Sequence, residues 1–354
     1  MENIKTKNKA IIELNPDFED VSRRWEAYWN HDMIDRPILC AVLEKPGCAM
    51  VPDAGYEDKI HGDLGEIMRN ALHNASCRDW LGDSIPVFNT SLGVHEIAQY
   101  CGFDVDWGKH AGKPLKELLP IKIDKGNFWW NRAISLYRKT NEILNGRMIP
   151  TAFDFHTNLD LIMSIIGDEQ LCYEVADDPV SVDLAIENSC DVFRELWNLF
   201  VNESGCDNYG YGFYIWMYSE KPTTNISCDF SALIGKKMFR RWVMPALEYE
   251  SGLVGDRSVY HWDGPGALKH MEDLASIKNI HTLSYVPSPF TRHHQFLDIY
   301  QECQRKGKCV TFGGSPDEIM SAHKLLKPSM TCYLAEVNNR EEFYALEKWL
   351  KNNI

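Results

Sequence analysis

The chain lacks the features that mark secreted, membrane and nucleic-acid-binding proteins. No stretch approaches the ~18 continuous apolar residues of a membrane helix, and MENIKTKNKAIIELNPDFED at the N-terminus contains no signal-peptide core. Positive charge is scarce, with 37 Lys and Arg against 51 Asp and Glu and a net charge of -14. Because phosphate contacts require clustered cations, we expect no nucleic-acid partner and no membrane association.

Cysteine is present, but it is not arranged as a disulfide framework. The 11 cysteines are scattered over 354 residues, and their number is odd. Such usage is typical of reduced thiols in the cytoplasm, where we expect the protein to be. Low-complexity linkers, charge blocks and short repeats are also missing. We therefore expect one large soluble domain that acts on a small molecule.

What the sequence does have is an alternation of short apolar runs with longer amphipathic segments. The candidate strands are 38–45, 85–90, 148–155, 211–216, 224–230, 258–263, 280–287, 308–314 and 330–337. Helical patterns lie between most of them, including 267–277 and 316–326, the second with Ser315 as its N-cap. This alternation predicts an α/β fold, a single (β/α)8 TIM barrel with an N-terminal helical elaboration. Nine candidates exceed the eight strands of that barrel, so one should be a hairpin or a loop.

Polar residues collect where these strands end, which is where such barrels form their active sites. In YHWDGPG (260–266), His261 and Asp263 share one strand face while Trp262 points the other way, and Gly-Pro-Gly then turns the chain. Alone, His261 could be a satisfied core residue and Asp263 a helix cap. Their shared direction favours a functional role.

Two other strand ends repeat this arrangement. Asp154 and His156 are again two residues apart, and Asp229 ends the strand in SCDFSAL, although it could instead cap the following helix. Several carboxylates and imidazoles at one mouth suit acid-base or metal chemistry. The residues expected to converge in one cleft as catalytic groups are Asp154, His156, Asp229, His261 and Asp263.

Further residues near the strand ends are candidates for holding the substrate. They are Asn158, Trp216, Tyr285 and Arg292. Aromatic residues on strands usually pack in the core, but two or three rings at the mouth could stack on a flat ring or enclose a methylated cation. The stretch DFHTNL is one glycine short of the DxHxxG pattern of corrinoid-binding domains, whose other signatures are missing. We therefore reject cobalamin binding by this chain itself.

The order of several motifs resembles the uroporphyrinogen decarboxylase superfamily, in the branch that includes the zinc-dependent corrinoid methyltransferases. The matching segments are DRPILCAV (35–42), SLGVHEIAQYCGFDVDW (91–107), LDLIMSIIGDEQLCYEVADDPVSV (159–182), CDFSALIGKKMFRRWVMPALEYE (228–250), YHWDGPGALKHMEDL (260–274) and TCYLAEVNNREEFYAL (331–346). The resemblance implies one (β/α)8 barrel with its cleft at the carboxyl ends of the strands. We place the barrel at 35–354, after an N-terminal helical extension at 1–34.

The superfamily supports several reactions, and two departures bear on which applies. Porphyrinogen decarboxylases carry an arginine-rich loop after the first strand, whereas EKPGCAMVPD (44–53) contains no arginine. The methyltransferase branch holds zinc with a His-x-Cys pair and a later cysteine, so the resemblance implies His261, Asp263 and Cys332 as metal ligands. Aspartate in place of the first cysteine makes this site harder and less suited to a thiol. Cys332 could also be a buried strand cysteine.

Three functions follow from this comparison of residues. The first is a methyltransferase that moves a methyl group between a small molecule and a separate corrinoid protein or a thiol, assisted by zinc. The second is a metal-independent decarboxylase or lyase, in which Asp229 or Asp263 stabilises a cationic intermediate and His261 or His156 is the acid. The third is a non-catalytic barrel that binds a small ligand. Fold class alone does not separate them.

Overall fold

The computed structural model describes residues 9–106 and 108–354. The strands are β1 (Ile38–Glu44), β2 (Arg78–Gly82), β3 (Val87–Phe88), β4 (Ile149–Pro150), β5 (Tyr211–Gly212), β6 (Tyr218–Ser219), β7 (Asn225–Ser227), β8 (Ser258–Asp263), β9 (Ile280–Val286), β10 (Cys309–Gly314) and β11 (Thr331–Ala335). Residues 1–8 of the expected N-terminal extension, and Trp107 at the end of one matching segment, lie outside the described residues.

The α-helices are distributed between these strands and after the last of them. They are α1 (Phe18–Trp29), α2 (Tyr56–His61), α3 (Leu64–Ser76), α4 (Glu96–Tyr100), α5 (Phe128–Leu144), α6 (Asn158–Ile166), α7 (Asp168–Asp177), α8 (Pro179–Glu203), α9 (Cys206–Tyr209), α10 (Lys236–Met238), α11 (Met244–Val254), α12 (Met271–Ser276), α13 (Leu297–Arg305), α14 (Pro316–His323) and α15 (Arg340–Lys351). A π-helical turn, Phe239–Val243, joins α10 to α11.

Seven strands form one sheet in the order β2-β1-β11-β10-β9-β8-β7. Its neighbouring strands are parallel except for β1 and β2, which pair antiparallel. β3 and β4 form a separate parallel pair, and β5 and β6 form an antiparallel hairpin. The chain is therefore a mixed α/β fold around a large parallel sheet, and the strand ladder of the described residues does not close on itself.

Each predicted strand contains an observed one, and one of them belongs to a hairpin. The run 211–216 is reduced to β5, which turns back into β6. β6 and β2 were not predicted, because two residues are too few to show a period and RDWLG places a charged pair before its apolar residues. Ser315 caps α14 as expected, since its hydroxyl oxygen accepts the backbone N–H of Glu318.

Helix α1 packs beneath the amino-terminal ends of the strands. Its buried side chains share one core cluster with strand residues such as Ile38 and Val259. Two tryptophans of α1 also donate hydrogen bonds at 2.8 Å: the Trp25 indole to the backbone oxygen of Asp83, and the Trp29 indole to that of Tyr218. Each large apolar side chain buried in this way contributes roughly 1.5–3 kcal/mol relative to exposure.

A buried carboxylate fixes the crossing from β2 toward β3. Asp83 is fully buried and accepts hydrogen bonds from the guanidinium groups of Arg24 and Arg36 and from the backbone N–H of Leu39. Burial alone would raise the pKa of Asp83, but the charges and hydrogen bonds of the two arginines lower it. Arg36 also bonds Glu347 of α15 at 3.0 Å. This network joins both ends of the chain to β1.

The structure bears on two expectations, the absence of a membrane helix and the reduced state of the cysteines. None of the helices described is both long and apolar enough to cross a bilayer. Cys48 and Cys77 are joined by a disulfide, so the expectation that all thiols are reduced is wrong for this pair. The other nine cysteines are free thiols.

Replacing Asp83 with Asn should destabilise the protein strongly. The substitution keeps the shape but leaves Arg36 buried beside a neutral amide, and breaking a buried ion pair costs about 3–5 kcal/mol. Urea unfolding measures this loss. The matched control is Asp20→Asn, whose exposed pair with Arg23 should contribute at most ~1 kcal/mol. Equal small effects for both variants would contradict a structural role for Asp83.

Candidate functional site

His156 lies among three carboxylates in the segment between β4 and α6. Its Nε2 is 3.4 Å from Asp154 Oδ2, and its Nδ1 is 3.2 Å from Asp160 Oδ2 and 3.8 Å from Asp229 Oδ2. Burial alone would lower the pKa of His156, but hydrogen bonds and charges from Asp154 and Asp160 raise it well above its usual value. The imidazole is therefore held as a cation at neutral pH.

Asp160 organises this group from the first turn of α6. Its side chain is fully buried, and its oxygens accept the backbone N–H groups of Asp229 at 2.8 Å and of Phe230 at 2.9 Å. One carboxylate thus fixes the turn after β7 and the ring of His156 together. Asn158 starts the same helix with φ 51°, in the left-handed region that asparagine tolerates.

Asp229 differs from the other two carboxylates in having no complete set of partners. Its side chain is 39% exposed, yet its Oδ1 atom is buried without a hydrogen bond. Burial and then the charge of Asp160 raise the pKa of Asp229 to about 7. This carboxyl group can therefore take up or release a proton near neutral pH.

The segment after β4 is joined to β7 by side chains. Asn225 donates from Nδ2 to Asp154 Oδ1 at 3.2 Å, and Ser227 donates from Oγ to the backbone oxygen of Phe155 at 3.2 Å. The charge and hydrogen bond of His156 outweigh burial and lower the pKa of Asp154. Asp154 and His156 thus form an ion pair at this junction.

His261 and Asp263 reach the same region from β8. The register places His261 beside Ser227 of β7, and its Nδ1 shares a 2.6 Å hydrogen bond with the hydroxyl of Tyr214. Burial lowers the pKa of His261 despite the charges of Asp263 and Asp154, so its ring is neutral beside the charged ring of His156. Asp263 is exposed and makes no capping bond to the turn that follows, whose N-cap is Gly264.

Two buried glutamic acids stand behind these groups. Glu250 of α11 accepts hydrogen bonds from Thr157 at 2.6 Å and Asn158 at 3.4 Å, and burial raises its pKa to about 8. Glu96 of α4 accepts the backbone N–H of Asp154 at 3.3 Å, and burial raises its pKa to about 7. Both glutamic acids support the segment that carries His156, and both can take up or release a proton near neutral pH.

The four expected substrate-binding residues lie in different parts of the structure and do not form one site. Asn158 is fully buried behind the cluster and donates to the backbone oxygen of Ser227 at 2.9 Å. Trp216 lies in the β5–β6 hairpin and packs on the core cluster beneath the strands. Tyr285 packs against Trp262, on the strand face opposite His261. Arg292 is exposed and paired with Glu318 and Glu336.

The expected zinc ligands His261, Asp263 and Cys332 are not brought together. Cys332 is the second residue of β11, and its thiol is buried against that of Cys40 in the core cluster that contains α1. Cys332 is thus near the amino-terminal end of its strand, whereas His261 and Asp263 lie toward the carboxyl end of β8. Among the residues described, two other groups have ligand atoms within 4.8 Å of one another. They are His156 with Asp160 and Asp229, and His31 with His281 and Cys309.

Asp160, Tyr214, Glu96 and Glu250 were missed as functional candidates. Asp160 follows His156 by four residues, which is one helical turn, so its spacing could have indicated the contact. Tyr214 reaches His261 from the β5–β6 hairpin, 47 residues away in the sequence. The two glutamates are contributed by helices distant in sequence, and no local pattern identifies them.

A cavity of about 680 Å³ is lined by residues of α2, α3 and the strands β2 and β3. Arg78 of β2 and Phe88 of β3 line it, so it lies where the strand ladder is interrupted. None of the clustered residues lines the cavity, but Tyr56 does. Burial and then the charges of Asp154 and Glu96 raise the pKa of Tyr56.

Comparison with known proteins supports the fold but gives no family. No protein-family model matches the chain, and a search of curated proteins finds no match. Among solved structures, a methyltransferase from Methanosarcina mazei is similar with a TM-score of 0.60 and 12% sequence identity, covering 94% of this chain and 98% of that one. At this identity the likeness shows a shared fold over nearly the whole chain.

The protonation of His156 provides a direct test of this geometry. We expect its imidazole to remain protonated well above the ~6.5 of a free histidine, and Asp154→Asn to lower its pKa because one stabilising charge is removed. Nuclear magnetic resonance of the ring nitrogens against pH measures both. The control Asp191→Asn, in an exposed pair with Arg194, should leave the curve unchanged. Titration of wild-type His156 at or below ~6.5 would contradict the arrangement.

Proposed function

We propose that the chain is a metal-assisted methyltransferase of the uroporphyrinogen decarboxylase superfamily. The observation that carries this proposal is the group formed by His156, Asp160 and Asp229, with its unpartnered Asp229 oxygen, at the carboxyl ends of the strands. The fold shared with a methyltransferase supports it. The methyl group would pass between a small molecule and a thiol or a corrinoid held by a separate protein.

The proposed architecture is a (β/α)8 barrel made of β1, β3, β4, β7, β8, β9, β10 and β11. Side-chain hydrogen bonds between β7 and the segment after β4 support one junction outside the regular ladder. Near β3, the backbone N–H of Asp83 and the hydroxyl of Ser84 bond backbone oxygens of Leu39 and Ala41 in β1. β2 and the β5–β6 hairpin would then be additions to the barrel.

The residues of the cluster fit a divalent cation. One imidazole nitrogen and carboxylate oxygens are suitable zinc ligands, and a harder cation would also accept the oxygens. Asp229 Oδ1 is buried and has no hydrogen-bond partner. A bound cation or a proton would offset the free-energy cost of burying this oxygen unpaired. His156, Asp160 and Asp229 would hold the ion, which would supply Lewis-acid activation of the nucleophile. Zinc is the cation we propose.

In this reaction, side chains of the protein would accept the proton of the nucleophile and orient the substrate. The attacking sulfur would lose its proton to Asp263, which lies at the exposed side of the cluster and is not one of the proposed metal ligands. The nucleophile then forms a bond to the methyl carbon, and the electrons of the broken bond remain with the donor. His261, oriented by Tyr214, and Asp263 would position the substrate at the exposed side of the cluster.

A decarboxylase or lyase is the second candidate, and one observation favours it. His156 is already an imidazolium without a metal, and a cationic ring beside an ionisable Asp229 can deliver a proton to a developing carbanion. In that reaction the small acid would lose carbon dioxide, and its carbon would take a proton from His156. The two candidates differ in whether activity requires the metal.

Metal content and two product assays distinguish the candidates. Purified protein should contain zinc, and it should demethylate methylcobalamin in the presence of mercaptoethanol, the probe donor and acceptor. Removal of zinc by a chelator should abolish this transfer, and added zinc should restore it. Release of carbon dioxide from small carboxylic acids by metal-free protein would favour the lyase. Tight ligand binding with neither activity would favour the non-catalytic barrel.

Asp263→Asn should lower the rate of methyl transfer by ~100-fold or more, because acid-base groups contribute factors of this size. Asp229→Asn should lower the rate at least as much, because it removes a ligand of the activating ion. Asp229→Asn should also weaken zinc binding, whereas Asp263→Asn should retain the metal. Stopped-flow rates and zinc titration measure the two effects. The control Asp191→Asn lies far along α8, in an exposed ion pair. An unchanged rate in the folded Asp229→Asn protein would refute the proposed role.

A further inference from the structure

A second group of nitrogen and sulfur ligands lies near the amino-terminal ends of the strands. His31 follows α1, His281 is the second residue of β9, and Cys309 is the first residue of β10. Their ligand atoms lie within 4.8 Å of one another. Ligand atoms of a tetrahedral zinc ion lie about 3.3–3.8 Å apart, so shortening these separations by at most about 1.5 Å would bring all three to bonding distance.

His31 occupies a backbone position that is normally filled by glycine. Its φ is 57°, and the bonds from His31 N to Tyr28 O and from Asp32 N to Ala27 O form the reverse turn that ends α1. A residue with a Cβ atom is disfavoured in this conformation. The ring of His31 packs edge-on against that of His281, with centroids 4.8 Å apart. The sequence therefore places an imidazole here at a conformational cost.

His281 is already oriented as a ligand by its neighbours. Its Nδ1 bonds Thr282 Oγ1 at 2.9 Å, and that hydroxyl also bonds Tyr28 at 3.0 Å. With Nδ1 as the donor, Nε2 presents its lone pair toward Cys309 Sγ, 3.8 Å away. Burial, aided by nearby cations, lowers the pKa of His281 to about 3, so the ring is neutral.

Two cationic side chains near this group would repel a bound dication, but their charges are partly balanced by other partners. Lys308 and Arg257 both act on His281, but Lys308 donates to two backbone oxygens and Arg257 is paired with Glu26 at 2.6 Å. Burial raises the pKa of Cys309, so its thiol is protonated until a metal displaces the proton. The thiolate that forms would supply the negative charge that the ion requires.

We propose that His31, His281 and Cys309 form a metal site for a zinc-type ion. The ion would join the end of α1 to β9 and β10, and the exposed side at His31 would leave a water in the remaining position. Each zinc bound would release one proton from Cys309. This site is separate from the cluster at His156 and does not depend on the proposed reaction.

Zinc titration in the Asp229→Asn background isolates this site from the candidate catalytic cluster. We expect residual binding in that variant, with His31→Gly and Cys309→Ser each weakening it at least tenfold. Cobalt substitution should give a sulfur-to-metal charge-transfer band that Cys309→Ser removes. The matched control is Asn145→Gly, which replaces another left-handed helix-end residue and should leave zinc binding unchanged.

Thermal unfolding provides a second readout, which distinguishes loss of the metal site from destabilisation of the variant. Glycine suits the backbone at position 31, so metal-free His31→Gly should unfold at the same temperature as its parent or higher. Zinc should raise the unfolding temperature of the parent but not that of His31→Gly. No zinc binding in the Asp229→Asn protein, or binding that His31→Gly and Cys309→Ser leave intact, would overturn the proposal.

Discussion

The carboxylate of Asp160 is the interaction on which the candidate site depends. It accepts two backbone N–H groups from the turn after β7 and contacts His156 with the same oxygen that binds Asp229 N. Because the carboxylate is fully buried, each of these bonds is made in a low dielectric, where charge-assisted hydrogen bonds are strong. Removing Asp160 would release both His156 and the turn at Asp229, although these two residues lie outside α6, the helix that carries Asp160.

The charge balance of the cluster follows from this arrangement. Asp154, Asp160 and Asp229 surround one imidazolium, and burial followed by the charge of Asp160 raises the pKa of Asp229. The folded-state pKa of His156 lies above its unfolded value of ~6.5. Its stabilising contribution is therefore complete below ~6.5 and is lost as the pH rises through the folded-state pKa. A metal would replace the proton of His156 as the balancing charge.

The sequence predicted the strands and the strand-end residues better than it predicted their partners. Asp154 and His156 follow β4, Asp229 follows β7, and they meet because side chains of β7 bond the segment after β4. Cys332 was assigned by analogy to a family position. Its early place in β11 puts it in the core with α1, and apolar periodicity does not reveal depth along a strand. Tyr214, Glu96 and Glu250 depend on long-range packing that no local pattern encodes.

The central claim is that a metal ion and the proton on His156 compete for the same site. Calorimetric titration of zinc into Cys309→Ser protein, at pH 7 in buffers of different ionisation enthalpy, counts the protons released. The account predicts between about one and two, because His156 is fully protonated and Asp229, with a pKa of about 7, is partly protonated. Zinc binding without proton release, or no binding at all, would contradict it.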